Sequence, residues 1–264
     1  MLNILNGYDL AKIPFGSPEY VHLMVEAKKL AWADLGKYVA DPSVSEVPVD
    51  MLLSEQHAAE LRKQINPKKA MDEPETGLPA SSDTTTWVTV DKDGNGVAFI
   101  NSLYSAFGSG KTGGSTGILL QNRGEGFSLT KGHPNAYAPG KRPFHTIIPG
   151  LITKDDKLHW VYGLMGGSMQ PQGHVQIITA HIDHGKTVQE AIDYPRWRHM
   201  SEKTVRLETG APDSLRVGLE SFGHNPMPGN YLLFGSAQII QIDPETGVRW
   251  GGSDNRRDGF ALGY

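Results

Sequence analysis

Ser82-Asp83-Thr84-Thr85-Thr86-Trp87-Val88-Thr89-Val90-Asp91 opens the part of the chain where the hydrophobic period becomes that of a strand. Three threonines head an apolar, β-prone segment, Asp93-Gly94-Asn95-Gly96 is a hairpin-type turn, and Val97 to Leu103 is a second apolar segment. The pattern predicts two paired strands. A threonine at the head of a strand is ordinary, because β-branched side chains suit a pleated surface. It acquires chemistry if the chain is cut just before Thr84. The new terminus then carries a hydroxyl nucleophile and an α-amine on one residue. The amine, with a reference pKa of about 8, can serve as general base for its own hydroxyl, with no Asp-His relay.

Working outward, the first eighty residues read as mostly helical. Ser17-Pro18-Glu19 is a helix start, with a hydroxyl cap, proline in the first turn and an acid beside it. Val21, Met24, Val25, Trp32, Leu35 and Val39 recur at helical spacing, interrupted by Lys28, and Asp41-Pro42 ends the helix. Ser54 caps a shorter helix to about Ile65, and Asn66 to Ser82 reads as an exposed linker open to proteolysis or self-cleavage. Beyond the hairpin, a glycine-rich loop (Gly108 to Gly117) leads to a short strand, Ile118 to Gln121. Further strands are expected near Ile147–Ile152 and Leu158–Leu164, and helices over Gly173–His184 and Val188–Tyr194. The tail gives a strand at Val205–Glu208, a helix at Asp213–Phe222, and strands at Ala237–Ile242 and Gly247–Gly251. Strands with helices on both sides imply a layered α/β or α+β domain.

A chain of 264 residues with 38% hydrophobic content can bury one large core or two small ones. A net charge of −4 with scattered signs gives no reason to expect nucleic-acid binding. No apolar run approaches bilayer-spanning length, and Met1 to Tyr8 lacks the basic and apolar regions of a signal peptide, so a cytoplasmic location is expected. Cysteine is absent, which removes disulfides, thiol catalysis and Cys-ligated zinc.

Three further motifs invite chemistry. Ser105-Ala106-Phe107-Gly108-Ser109-Gly110-Lys111-Thr112 comes within one residue of a phosphate-binding loop. Such a loop needs a helix starting at its Lys-Thr, and the following Gly113-Gly114-Ser115-Thr116-Gly117 cannot supply one. His174, His181 and His184 share a helix face, but without a convincing acidic third ligand they read as solvated histidines, and no metal is expected. Gly166-Gly167, at a strand-to-helix junction, permits close backbone approach to a ligand, and two successive N–H groups there can form an oxyanion hole. A tight turn without a ligand is the alternative.

Taken together, Thr-Thr-x-aromatic, Val90-Asp91-Lys92-Asp93-Gly94-Asn95, Phe107-Gly108-Ser109-Gly110, Gly117-Ile118-Leu119-Leu120-Gln121-Asn122, Pro139-Gly140-Lys141-Arg142-Pro143, Gly166-Gly167, Pro195-Arg196, Asp254-Asn255-Arg256-Arg257 and Gly263-Tyr264 resemble the γ-glutamyltranspeptidase family. These are N-terminal-nucleophile (Ntn) hydrolases made as self-cleaving precursors. The resemblance implies an α+β fold, the Ntn-hydrolase αββα four-layer sandwich, with part of the large-subunit side missing. It divides the chain into residues 1–83, the C-terminal part of a large subunit with its linker at 66–83, and residues 84–264, a small subunit.

The resemblance also implies roles. Thr84 falls on the nucleophile and Asp83-Thr84 on the cleavage bond; Ser102 falls on the hydroxyl residue that bonds the nucleophile; Gly166 and Gly167 fall on the oxyanion-hole glycines. Where glutamyl enzymes of the family carry their substrate-binding groups, this chain has Tyr104, Arg123, Gly126, His145 and Thr146. It has Thr86 where they have histidine. The exchange at Arg123 and Gly126, where they hold the substrate's amino group, removes acid and adds a cation, so an anionic or neutral amide is the expected substrate. The chain thus resembles a divergent branch with acylases and an oxamate amidohydrolase. The expected activity is amide hydrolysis or acyl transfer through a Thr84 acyl-enzyme, with no cofactor. The expected partner is the missing large-subunit polypeptide or a second copy. The alternatives are a γ-glutamyltransferase or glutathione hydrolase, and an inactive fragment that needs a partner.

Overall fold

The computed structural model describes residues 1–72 and 83–264, and of Asp83 the backbone alone. The helices and strands, in chain order, are α1 (Leu2–Leu5), α2 (Pro18–Tyr38), α3 (Val49–Leu53), α4 (Glu55–Arg62), β1 (Asp83–Val90), β2 (Gly96–Tyr104), β3 (Gly150–Lys154), β4 (Lys157–Met165), α5 (Gln170–Ile182), α6 (Val188–Asp193), β5 (Trp197–His199), β6 (Thr204–Leu207), α7 (Asp213–Ser221), β7 (Asn225–Pro228), β8 (Ser236–Ile242) and β9 (Arg249–Ser253). The residues form two compact units. One takes Met1–Ala80, Arg123–His145 and Trp197–Gly229; the other takes Ser81–Asn122, Thr146–Arg196 and Asn230–Tyr264.

The second unit contains the hairpin. β1 and β2 pair antiparallel, with Thr86 opposite Ile100 and Val88 opposite Ala98. A second sheet has the order β3-β4-β8-β9. From Trp160 to Leu164, beyond a register irregularity, strand β4 alternates as the two-residue period demands. Trp160, Tyr162 and Leu164 turn to α5: Trp160 lies over His181, with ring centroids 4.7 Å apart, Tyr162 meets His174 edge-on at 4.9 Å, and Leu164 fills the space left by the missing side chain of Gly173. Val161 and Gly163 turn the other way, and a Cβ at Gly163 would overlap the Thr86 hydroxyl of β1. Strand β9 packs its Gly252 against Val188 and Ile192 of α6. Helices, sheet and hairpin therefore stack as three successive layers, the α-β-β part of an Ntn-hydrolase α+β fold. The outer face of the hairpin is uncovered: Trp87 and Phe99 stack at 4.3 Å with 43% and 46% of their surfaces exposed.

The first unit is organised by α2. Ser17 accepts a hydrogen bond from the Tyr20 amide and Pro18 occupies the first turn, as the sequence predicts. Val21, Met24, Val25 and Trp32 of the apolar stripe are buried, Leu35 and Val39 are half-buried, and from Tyr20 to Leu30 every side of the helix is buried. Lys28 does not break the burial; its ammonium meets Nδ1 of His199 at 2.9 Å. Lys29 and Glu26 form a fully buried ion pair at 2.9 Å. This pair grips Met71, whose N–H donates to Glu26 (2.9 Å) and whose carbonyl accepts from Lys29 (2.7 Å). Ala70 and Met71 are thus anchored, whereas Asn66 to Lys69 and Asp72 are exposed as the linker reading expects; the rest of that linker lies outside the described residues. Helix α7 closes on α2 where Gly218 makes room for Pro18. Strands β5, β6 and β7 form a small mixed sheet. The segment 123–145 is pinned to the end of α2. The Asp41 carboxylate accepts from the Arg142 amide (2.9 Å) and guanidinium (3.1 Å), and His133 donates to the Gly36 carbonyl at 2.9 Å. The Arg142 contacts hold the Asp41 carboxyl far below the usual carboxylate range.

Some expectations fail for local reasons. Ile118 to Gln121 forms no strand, only the isolated bridge Thr112–Leu119, because the adjoining glycines fold the loop onto itself. Strands β5 and β7 are three and four residues long and too short to show a period.

Candidate active site

Thr84 sits at the head of β1, opposite Ser102 of β2, beside a register irregularity between Asp83 and Thr84. Only 6% of its surface is exposed. Its hydroxyl donates to Ser102 Oγ at 3.1 Å, and the same oxygen accepts the Tyr104 amide at 3.0 Å. Ser102 is thereby fixed by the backbone two residues on. That bond requires an unusual conformation: Tyr104 has φ = +78°, a region costly for any residue with a Cβ. The Tyr104 side chain is buried beside the strand end.

Gly166 and Gly167 end β4, with φ of +132° and +57°. Both values favour glycine, so the turn requires these residues. The packing of β1 on β4 fixes its direction. Thr86 lies against Gly163, and Gly96, the partner of Val90, lies against Leu158 and Val161. Strand β1 therefore runs antiparallel to β4, with its Thr84 end at the end of β4 that carries Gly166-Gly167. Asp83, which the resemblance places at the cleavage bond, pairs with Tyr104 in the backbone register. Thr146, in this unit, is buried.

Arg123, Gly126 and His145 belong to the other unit. Arg123 is buried, the Gly126 carbonyl accepts from Asn135 Nδ2 at 2.7 Å, and His145 is exposed with Nδ1 2.7 Å from the Pro143 carbonyl. Sequence reasoning missed Gly235, which abuts Gly166 and offered no signal beyond being a glycine near a strand.

The phosphate-loop reading has no structural basis. The amides of Gly108, Ser109 and Gly110 are spent on the carbonyls of Ser105, Leu120 and Phe107. Of the helix histidines that the sequence suggests are solvated, His181 and His184 are part-exposed and His174 is not. His174 is buried under Tyr162, and burial together with the nearby Arg196 pushes it down to about 3. Among the described residues one grouping has ligand-type atoms close together: His22, Glu26 and His224, all buried. His22 and His224 are hydrogen-bonded to each other at 2.8 Å, His22 also meets the Asn66 carbonyl at 2.8 Å, and the Lys29 ammonium already neutralises Glu26. Burial and Lys29 push His224 down to about 3. The ammonium thus balances the carboxylate charge of the set.

Comparison with known proteins decides the family. The model described as Gamma-glutamyltranspeptidase matches residues 1–264. The chain belongs to the gamma-glutamyltranspeptidase family. Among members of this family, it is 41% identical to the glutathione hydrolase-like YwrD proenzyme of Bacillus subtilis, over 99% of this chain and 50% of that protein. It is 36% identical to the oxamate amidohydrolase proenzyme of Klebsiella pneumoniae, over 92% of this chain and 47% of that protein. The crystal structure of cephalosporin acylase from Bacillus halodurans superposes with a TM-score of 0.91 at 43% identity, over 100% of this chain and 48% of that one. The gamma-glutamyltranspeptidase of Pseudomonas nitroreducens in complex with L-DON matches with a TM-score of 0.63 and 26% identity, over 68% of this chain and 99% of that one. The chain spans about half the length of the curated relatives it matches.

Proposed function

We propose that this chain is the nucleophile-bearing half of a self-processing Ntn amidohydrolase or acyltransferase. The observation that carries the reading is the buried Thr84 hydroxyl, 3.1 Å from Ser102 and at the same end of the stacked strands as the Gly166-Gly167 turn. In the precursor the Thr84 oxygen attacks the Asp83 carbonyl, the peptide C–N bond breaks, and water hydrolyses the resulting ester. This frees the Thr84 amine. In turnover the hydroxyl attacks the substrate amide carbonyl while the amine takes its proton. The amine then delivers that proton to the leaving nitrogen. The N–H groups of Gly166 and Gly167 face the developing oxyanion. Water, or an acceptor amine, releases the acyl group. That several relatives are named as proenzymes supports the cut. So does the Pseudomonas nitroreducens chain, which 68% of this one covers almost completely.

The missing layer has a natural occupant. Relatives are about twice as long, and the exposed Trp87–Phe99 face of the hairpin is apolar. The remaining half of such a polypeptide covers that face. The test is expression of the complete polypeptide, followed by intact mass, N-terminal sequencing and sedimentation. Two fragments that co-sediment, one beginning at Thr84, are expected. A single uncut chain, or a fragment beginning at Thr85, overturns this assignment.

For specificity, Arg123 places a buried cation at a position where glutamyl enzymes of the family bind an ammonium group. A like charge brought against a buried cation costs several kcal/mol, on the order of a hundredfold or more in rate. Acyl or oxamate-like amides should therefore exceed γ-glutamyl amides in kcat/KM by about that factor. The second reading, a glutathione hydrolase, is favoured by the name of the Escherichia coli relative, 36% identical over the whole of this chain. Comparable turnover of γ-glutamyl-p-nitroanilide would select it.

A further inference from the structure

The turn at Gly166 leans on a second glycine. A Cβ on Gly166 would lie 3.1 Å from the Cα of Gly235 and 3.2 Å from the Cβ of Met169. Gly235 has φ = +71°, and a Cβ there would overlap the Met165 carbonyl, one residue before the turn. The two backbones are in direct contact: Gly166 cannot be enlarged without pressing on Gly235, nor Gly235 without displacing the Met165 carbonyl. Met165 also pairs with Ser236 in the β4–β8 register, so the contact is held from one side by the sheet.

From the other side it is held by ions. Arg196, 2% exposed, donates through Nη1 to the Phe234 carbonyl at 2.9 Å and through Nη2 to Asp254 at 2.6 Å. The same Asp254 oxygen accepts the Ala237 amide at 2.8 Å. The pair thus grips the chain immediately before Gly235 and two residues after it. Its other carboxylate oxygen accepts from the Arg256 amide and guanidinium, at 3.0 and 3.1 Å. Arg196 and Arg256 both also donate to the Ile192 carbonyl at the end of α6. Pro195-Arg196 and Asp254-Asn255-Arg256-Arg257, far apart in sequence, therefore meet in one buried frame.

We propose that Gly235, clamped by the Arg196–Asp254 pair, is the backstop that fixes the Gly166-Gly167 turn in its hydrogen-bond-donating geometry. Gly235, Arg196 and Asp254 are positioning residues for oxyanion stabilisation. This rests on the assignment of Gly166 and Gly167 given above. The physical basis is that an oxyanion hole acts through preorganisation, so a displacement of its donors well under a bond length is felt in the chemical step more than in binding.

The test uses the complete polypeptide and three variants: Gly235→Ala, Arg196→Lys and Asp254→Asn. Active sites are counted by stoichiometric acylation of Thr84 with a chromogenic ester, and kcat and KM for an amide are expressed per counted site. Losing one oxyanion donor costs roughly a hundredfold to a thousandfold. Gly235→Ala is expected to lower kcat per site by at least about tenfold toward that range, with KM changed less than about threefold. Arg196→Lys, which keeps the charge and loses the fork, should fall between Gly235→Ala and the unaltered enzyme. A structural role alone would reduce the number of titrated sites and leave kcat per site unchanged. That result, in any variant that folds, overturns the proposal, and the near-isosteric Asp254→Asn keeps the test available if the others misfold. Failure of the underlying assignment looks different: Thr84→Ala would still turn over substrate, and the ester would label another residue.

Discussion

Thr84→Ala in the complete polypeptide is expected to remain a single uncut chain and to lose turnover altogether, a fall of roughly 10⁴-fold or more by analogy with removal of other nucleophiles. On the proposed assignment two functions vanish together, because one oxygen would perform both. Its hydroxyl is the group that donates to Ser102 at 3.1 Å, and alanine leaves the fold otherwise untouched, since the Cβ that packs in the strand is retained. Thr84→Ser restores the oxygen without the methyl group and should recover part of both activities. Ser102→Ala keeps the nucleophile and removes only its hydrogen-bond partner, so a partial loss of rate is expected, seen first as slow processing. Mass spectrometry and an amidase assay on the same samples decide the matter. A Thr84→Ala protein that is still cut, or still active, would move the nucleophile elsewhere.

Lys29→Met should be the most destabilising single change outside the site. Lys29 and Glu26 are fully buried, 2.9 Å apart, and each also holds one polar group of Met71. Methionine keeps the length of the side chain but strands the Glu26 charge in the core. Breaking a buried pair in this way costs about 3–5 kcal/mol, a large share of the about 5–15 kcal/mol that holds a typical domain together. Adding Glu26→Gln removes the stranded charge while leaving an acceptor for the Met71 amide, and should return about 1 kcal/mol or more. Urea unfolding of the three proteins measures both steps. A midpoint for Lys29→Met within error of the unaltered protein would mean that the pair carries no net stability.

The hairpin was readable because its signals are local. A strand period, a Gly-Asn turn and a second strand period define β1 and β2 with ends correct to within a residue or two. The start of α2 was legible for the same reason, since a serine cap and a following proline act through their own backbone. What stayed hidden depends on distant partners. Lys28 looked like a flaw in an apolar stripe because His199, which receives it, lies 171 residues away. Val21, Met24 and Trp32 read as a stripe along one side of α2, yet the chain buries them together with the side opposite. In the candidate site, Thr84, Ser102, Gly166 and Gly167 were legible as a set only through the family resemblance. The strain at Tyr104 and the support from Gly235 are backbone properties that no residue type announces.

The unit containing α2 is woven from three stretches of chain, two of which follow Thr84. A break before Thr84 would sever the thread without opening the weave. Asp41 and Arg142 would then lie on different polypeptides, yet still be joined by the same carboxylate–guanidinium contact. The order of events matters for such an object. Interlacing first and cutting afterwards needs only the folding of one chain. Two pieces made apart would have to find each other while each lacked part of its own core. If the bond before Thr84 is cut as proposed, synthesis as one continuous precursor would be a device for ensuring assembly: the chain would act as its own template and lose the covalent link once the pieces are in place.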